Sequence, residues 1–128
     1  MKLTKPKKKT SERKRLTKKL DKVFSEYIRK RDERCVTCGT RENLQCSHYI
    51  GRRAHGGYGV RWNEKAAYAQ CAGCHFHFHN SSPEPLRQYI VMMHGEETIA
   101  ELEQLAFNPP RLTNEMLKEM IEYYKERL

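Results

Sequence analysis

Two short cysteine pairs, Cys35-Val-Thr-Cys38 and Cys71-Ala-Gly-Cys74, constrain the fold more than any other feature of this sequence. In each C-x-x-C knuckle the two-residue spacer lets both thiolates turn onto one ion, so the pair of knuckles offers four sulfurs to a structural zinc. The total of five cysteines is odd and cannot pair completely, which argues against a disulfide framework and for free thiols in a reducing compartment. The knuckles stand 32 residues apart, more than a simple zinc ribbon uses. A folded unit is therefore inserted between them, with the metal clamping its two ends. Cys46, the fifth cysteine, reads as a small strand residue.

Size and charge narrow the setting. A chain of 128 residues is long enough for one domain and too short for two independent cores. It has no apolar run near the roughly 18 residues of a membrane span, and its start lacks the apolar stretch of a secretory signal, so a cytoplasmic protein with no membrane partner is expected. The net charge of +9 is not spread evenly: residues 1–34 hold 15 Lys/Arg against 5 Asp/Glu, and the remainder 10 against 11. A concentrated block of positive charge releases counterions on meeting a phosphate backbone, which makes nucleic acid the leading partner class.

The pattern predicts an α+β, mainly helical protein. Residues 1–11 are lysine-rich without an acid and read as a disordered basic arm, and residues 12–128 as a single domain. Leu16, Leu20, Val23, Phe24, Tyr27 and Ile28 recur at helical spacing and predict a long basic helix over 12–33. Its charged face offers Arg13, Lys14, Arg15 and Lys18 to phosphate, alongside Lys7, Lys8 and Lys9 of the arm. The inserted unit, 34–82, reads as a β-hairpin: one strand over Asn43–Ile50, a glycine-rich loop carrying Arg52, Arg53 and Arg61, and a second strand over Ala67–Gln70. After Cys74 a helix is expected to about Ser81. The helical part 83–128 then holds one helix capped by Ser82 and ending at Gly95, another over Glu96–Phe107, and a last one capped by Thr113 and running to Leu128.

Four of the six histidines gather at the end of the first strand and just after the second knuckle. His48 closes the first strand, and His75-Phe-His77-Phe-His79 follows the second knuckle. On a helix His75 and His79, four apart, present imidazoles to one ion while His77 points elsewhere; on a strand all three would share a face. A neutral imidazole is a competent base near pH 7, and a divalent cation stabilises charge on phosphate and leaving oxygen. His48 is the expected base, His75 and His79 the expected cation ligands, and Arg52, Arg53 and Arg61 candidate phosphate clamps.

The run Cys35-Val-Thr-Cys38, Ser47-His48 and Cys71-Ala-Gly-Cys74-His75 resembles the zinc-stapled HNH nucleases of the ββα-metal fold. The segment from Asp21 to Arg29, with Gln45-Cys-Ser-His-Tyr49 and Arg61-Trp-Asn-Glu64, looks more closely like the NinG/Rap-type recombination endonucleases of lambdoid phages, over about residues 12–107. This resemblance implies a zinc-stapled ββα-metal (HNH) core between a long basic helix and C-terminal helices. It also implies a phage or prophage protein in the bacterial cytoplasm that cleaves branched DNA, such as Holliday junctions and D-loops. Carried over residue by residue, it makes His48 the general base, Asn63 the middle residue that holds base or loop, and His75 a metal ligand. Two positions depart from the family pattern: Ser47 stands where an Asp ligand is usual, and Ala66 where the middle Asn is usual. His79, or less plausibly Cys46, would then be the second ligand. The structural ion is then expected to be zinc and the catalytic one Mg2+ or Mn2+, although imidazole ligands favour zinc, manganese or nickel over magnesium.

Two other readings compete with the branched-DNA endonuclease. One is a non-catalytic zinc module that binds nucleic acid, and the other is an HNH nicking nuclease without branch selectivity. Cutting a four-way junction symmetrically asks for two active sites, hence a homodimer. The apolar stripe of the first or the last helix is available as its interface, though each reads first as an intrachain packing face.

Overall fold

A computed structural model describes residues 11–51 and 59–128 of the chain. The basic arm over 1–10, with Lys7, Lys8 and Lys9, and the loop arginines Arg52 and Arg53 lie outside the described residues.

Helix α1 (Glu12–Asp32) starts where its first free N–H groups find an acceptor: the Ser11 side chain takes the amide of Lys14. Arg29, Lys30 and Arg31 place positive charge on the last turn, where the helix dipole favours it. Its buried stripe is Leu20, Val23, Phe24 and Ile28. The inserted unit is a hairpin of β1 (Leu44–His48) and β2 (Ala67–Cys71), antiparallel, with Leu44 opposite Cys71 and His48 opposite Ala67. The first strand is thus shorter at both ends than the expected Asn43–Ile50. Ala66, Ala67 and Ala69 are fully buried; Ala67, with Cys46, packs among Leu20, Val23 and Phe24 and lets α1 lie close over the hairpin, while Ala66 packs with Val60, Leu102 and Ala106.

Five-residue strands in a two-stranded sheet are marginal on their own. Here the outer edge of β2 is covered. The Asp32 carboxylate accepts the Ala69 amide at 2.8 Å, the Val36 amide donates to the Ala69 carbonyl at 2.9 Å, and the Arg31 guanidinium donates to the Ala67 carbonyl at 2.8 Å. The end of α1 and the first knuckle together replace a third strand.

Helix α2 (Ala72–Asn80) begins inside the second knuckle, three residues earlier than expected, with Cys71 at its N-cap. The order strand, strand, helix is therefore continuous. Helix α3 (Glu84–His94) has Pro83 rather than Ser82 at its N-cap position, while the Ser82 hydroxyl still accepts the Glu84 amide at 3.2 Å. Gly95, at φ 90°, ends α3, and α4 (Glu97–Phe107) follows. Leu86, Ile90 and Ile99 of this pair close over Tyr68 of β2. Gly59 passes so close to α4 that a Cβ there would collide with the Leu105 carbonyl. Helix α5 (Asn114–Glu126) is capped by Thr113 as expected and lies along α1, burying Leu117, Ile121 and Tyr124 against the α1 stripe. The two stripes offered as dimer faces are thus spent on each other within one chain. Among the described residues no helix is long and apolar enough to cross a membrane.

Removing the Asp32 carboxylate leaves the buried Ala69 amide without its acceptor. Asp32→Ala is expected to destabilise the fold by about 2 kcal/mol, read as a lower urea midpoint, with Asp32→Asn costing less. An unchanged midpoint in Asp32→Ala would show that β2 holds its edge without α1.

Candidate metal centre and histidine cleft

The cysteines converge as their spacing implies. The Sγ atoms of Cys35, Cys38, Cys71 and Cys74 all lie within 4.8 Å of one another, and Cys38 and Cys71 are 3.7 Å apart. A tetrahedron with Zn–S bonds of about 2.3 Å has an edge of about 3.8 Å, so the four thiols fit one zinc ion. Backbone geometry builds the first knuckle: the Gly39 amide returns to the Cys35 carbonyl at 2.8 Å, and the Cys35 amide reaches Thr40 at 2.8 Å. Gly39 makes this turn at φ 84°, which a side chain would oppose.

Burial pushes the Cys35 thiol up, but the Thr37 hydroxyl and the backbone amides of Cys71, Cys38 and Thr37 outweigh it and bring the thiol down to about 6. For Cys74 the Thr37 hydroxyl favours the thiolate, yet burial and the sulfurs of Cys71, Cys35 and Cys38 push the thiol up to about 12. Four thiolates this close repel one another without a cation, which is the electrostatic reason such a cluster takes a metal. Thr37 is itself held by the buried Gln70, whose Nε2 donates to its Oγ1 at 3.2 Å.

Beside this centre lies a cleft of about 360 Å³ lined by Ser25, Cys46, His48, Gly51, His75 and His79. Three elements supply it: α1 gives Ser25, β1 gives Cys46 and His48, and α2 gives His75 and His79. The helical placement of the histidine run selects the i, i+4 pair, and the Nε2 atoms of His75 and His79 stand 2.9 Å apart. His75 Nδ1 is 2.7 Å from the Gln45 carbonyl oxygen Oε1. That oxygen can only accept, so Nδ1 carries the proton and the His75 Nε2 lone pair turns towards His79. Burial, then the neighbouring His79, lowers the His75 pKa and keeps the ring neutral at pH 7. His48 Nε2 lies 3.1 Å from the Arg61 carbonyl, another pure acceptor, which leaves Nδ1 as the basic nitrogen of the neutral ring.

Other expected site residues lie elsewhere. The Arg61 guanidinium is not free to clamp phosphate, because it makes a bidentate pair with Asp21 at 2.6 and 3.0 Å, and the same carboxylate accepts the Trp62 indole N–H at 3.0 Å. Its contribution to the cleft is its backbone carbonyl on His48. Asn63 does not line the cleft: its Oδ1 accepts the Lys65 amide at 2.9 Å, and its carbonyl accepts the amide of Ala66 at 3.0 Å, whose own carbonyl takes the Tyr49 amide at 2.8 Å. It holds the turn behind the base. Ser47 alternates away from Cys46 and His48, fully buried, so it is not placed to ligate an ion in the cleft. Arg13 bonds to Asn114, whereas Lys14, Arg15 and Lys18 are exposed on α1. Sequence reasoning missed Ser25 and Gly51, which line the cleft, and Gln45, which holds His75 from behind it. Gln45 lay inside the family-like run, but nothing in its type signalled a partner thirty positions away.

The fold and site define a compact class: a four-cysteine cluster that could hold a metal ion, beside a hairpin and helix whose histidines share a cleft. A family model described as bacteriophage lambda NinG protein matches residues 1–128, and the chain belongs to the NinG family. The curated protein ninG of Escherichia phage lambda is 29% identical over 115 residues, covering 87% of this chain and 54% of its own length. The chain thus spans about half the length of that relative. No solved structure matches it.

The purified chain is expected to carry one zinc per molecule. Cys38→Ser and Cys74→Ser should lose that zinc, with a fall in thermal midpoint that added chelator reproduces in the unsubstituted protein. A zinc-free chain with the same midpoint would count against the staple.

Proposed function

We propose that this protein is a metal-dependent DNA endonuclease of the HNH, ββα-metal type that cuts branched DNA in phage recombination. The observation that carries the nuclease reading is the convergence of His48, His75 and His79 on one cleft beside the cysteine centre. Branch selectivity is taken from the family resemblance and from no feature of the cleft itself.

His75 and His79 fit a shared cation. With metal–nitrogen bonds of about 2.0–2.1 Å, nitrogens 2.9 Å apart subtend about 90° at the ion, an angle that leaves positions open for water and substrate oxygens. The cation would supply charge stabilisation on the scissile phosphate and the departing 3′ oxygen. The protein does the rest. His48 donates its Nε2 proton to the Arg61 carbonyl, which fixes the ring and leaves Nδ1 to accept a proton from water as that water attacks phosphorus. Asp21 holds Arg61, and so holds the carbonyl that orients the base. Gln45 holds His75 from behind, as carbonyl acceptors commonly do for metal-bound imidazoles. The described lining contains no carboxylate, a donor set that suits manganese or zinc better than magnesium. Symmetric cutting of a four-way junction asks for two such sites, so a homodimer on DNA is part of this reading.

The test is cleavage of a synthetic four-way junction and a matched linear duplex, with Mg2+ or Mn2+. The unsubstituted protein should cut the junction preferentially, and His48→Ala should lose about 10²- to 10⁴-fold in rate while still binding. Equal cutting of both DNAs would remove branch selectivity and keep the enzyme. Binding without cleavage under both metals would leave a zinc-dependent nucleic-acid-binding module. Independently of activity, Gln45→Leu should weaken Mn2+ binding at the cleft by about 10- to 100-fold, measured calorimetrically on zinc-loaded protein. Unchanged affinity would separate Gln45 from the metal site.

A further inference from the structure

We propose that α1 carries a track for a nucleic-acid backbone, formed by Lys14, Lys18 and Lys22, that leads along the helix into the histidine cleft. For what happens in the cleft it rests on the nuclease reading above; for the track it rests on charge and helix geometry alone.

Seven of the nine basic residues of α1 fall into two sets, while Arg15 and Lys19, also exposed, lie farther round the helix at about 100° and 140° from Lys14. Arg13 bonds to Asn114, Arg29 to the Ser25 carbonyl, Lys30 to the carbonyls of Arg127 and Leu128, and Arg31 to Asp32. These charges hold the fold together. Lys14, Lys18 and Lys22 are exposed and make no ion pair among the described residues. At about 100° per residue, they fall about 0°, 40° and 80° round the helix, and Ser25, which lines the cleft, falls at about 20°. The row and the cleft-lining position therefore share one flank. Successive lysines are about 6 Å apart along the axis, and Lys14 is about 17 Å from Ser25. Asp21, on the same flank, is neutralised by Arg61, while Glu26 lies farther round, at about 120°.

Lysine suits this task because a hydrated point charge on a flexible stem meets phosphate without reading bases. An anionic membrane is a poorer occupant. An interfacial helix needs its apolar face for the lipid, and the apolar face of α1 is already packed on α5.

The experiment measures binding of the full chain to a labelled single strand and a labelled duplex, without added metal, between about 50 and 200 mM salt. The Lys14→Gln, Lys18→Gln, Lys22→Gln triple variant is compared with a Lys19→Gln, Lys65→Gln, Lys125→Gln triple, which removes equal charge from other faces. The track variant should lose about 2 to 3 from the slope of log affinity against log salt, at roughly 0.7–0.9 per phosphate contact, and the control less than about one. Equal losses in both variants would overturn the track in favour of diffuse charge. No change in either would overturn it as well, as would an unsubstituted protein that binds neither DNA. A track effect in a protein that cuts nothing under any divalent cation would uphold the track and sink the nuclease reading.

Discussion

Four sulfurs brought within reach of one ion mark where the hairpin begins and ends. A two-stranded hairpin of five-residue strands cannot position three imidazoles by its own ladder, and the buried residues between the knuckles pack against helices outside the hairpin. Bringing Cys35 and Cys38 onto Cys71 and Cys74 ties the entrance of the hairpin to its exit. Because Cys71 is both the last residue of β2 and the N-cap of α2, the same clamp sets where the histidine helix begins and which way it leaves the sheet. The cleft inherits its geometry from that junction.

The remaining support is polar and comes from α1. Asp32 and Arg31 at its end satisfy the exposed edge of β2, and Asp21 near its middle gathers Arg61 and Trp62. Each carboxylate is paired or hydrogen-bonded, which is the condition under which a half-buried charge is tolerated. The consequence reaches the site directly: the Arg61 backbone that Asp21 anchors is the acceptor on His48. Glu64 adds a further link, taking the hydroxyls of Tyr27 and Tyr124 and so joining α1 and α5 to the loop before β2. A helix that reads as merely basic is thus the frame of the molecule on one side and an open row of lysines on the other.

Much of this architecture was legible from local signals. Four of the five described helices followed from 3.6-residue apolar periodicity or from caps such as Thr113. Helix α2, which buries no side chain, was expected only from its place after the second knuckle, and the cysteine cluster followed from the C-x-x-C spacing. Boundaries slipped where two rules competed: α2 started early because Cys71 itself serves as cap, and Ser82 lost the cap position to Pro83. Site residues were legible where sequence neighbours also act together, as with His75 and His79. They were not where the partner comes from another element. Arg61 looked like a phosphate ligand until Asp21 took its guanidinium, and Asn63, expected to hold base or loop, closes the turn behind the base without lining the cleft. Gln45 carried no signal because an amide declares its role only when its partner is in place.

The sequence by itself determined which chemical groups this protein possesses and which short-range arrangements they must adopt: two thiolate pairs, a histidine pair one helical turn apart, a capped helix with one apolar face. These depend on spacing along the chain, and spacing is what a sequence records. Tertiary structure alone decided which of those groups remain available. Burial and long-range pairing committed Arg13, Arg31 and Arg61 to the fold, left Lys14, Lys18 and Lys22 exposed, and turned His48 towards the cleft shared with His75 and His79. Whether a charge binds a partner or a neighbour depends on what lies within a few ångströms of it, and only the folded chain sets that distance.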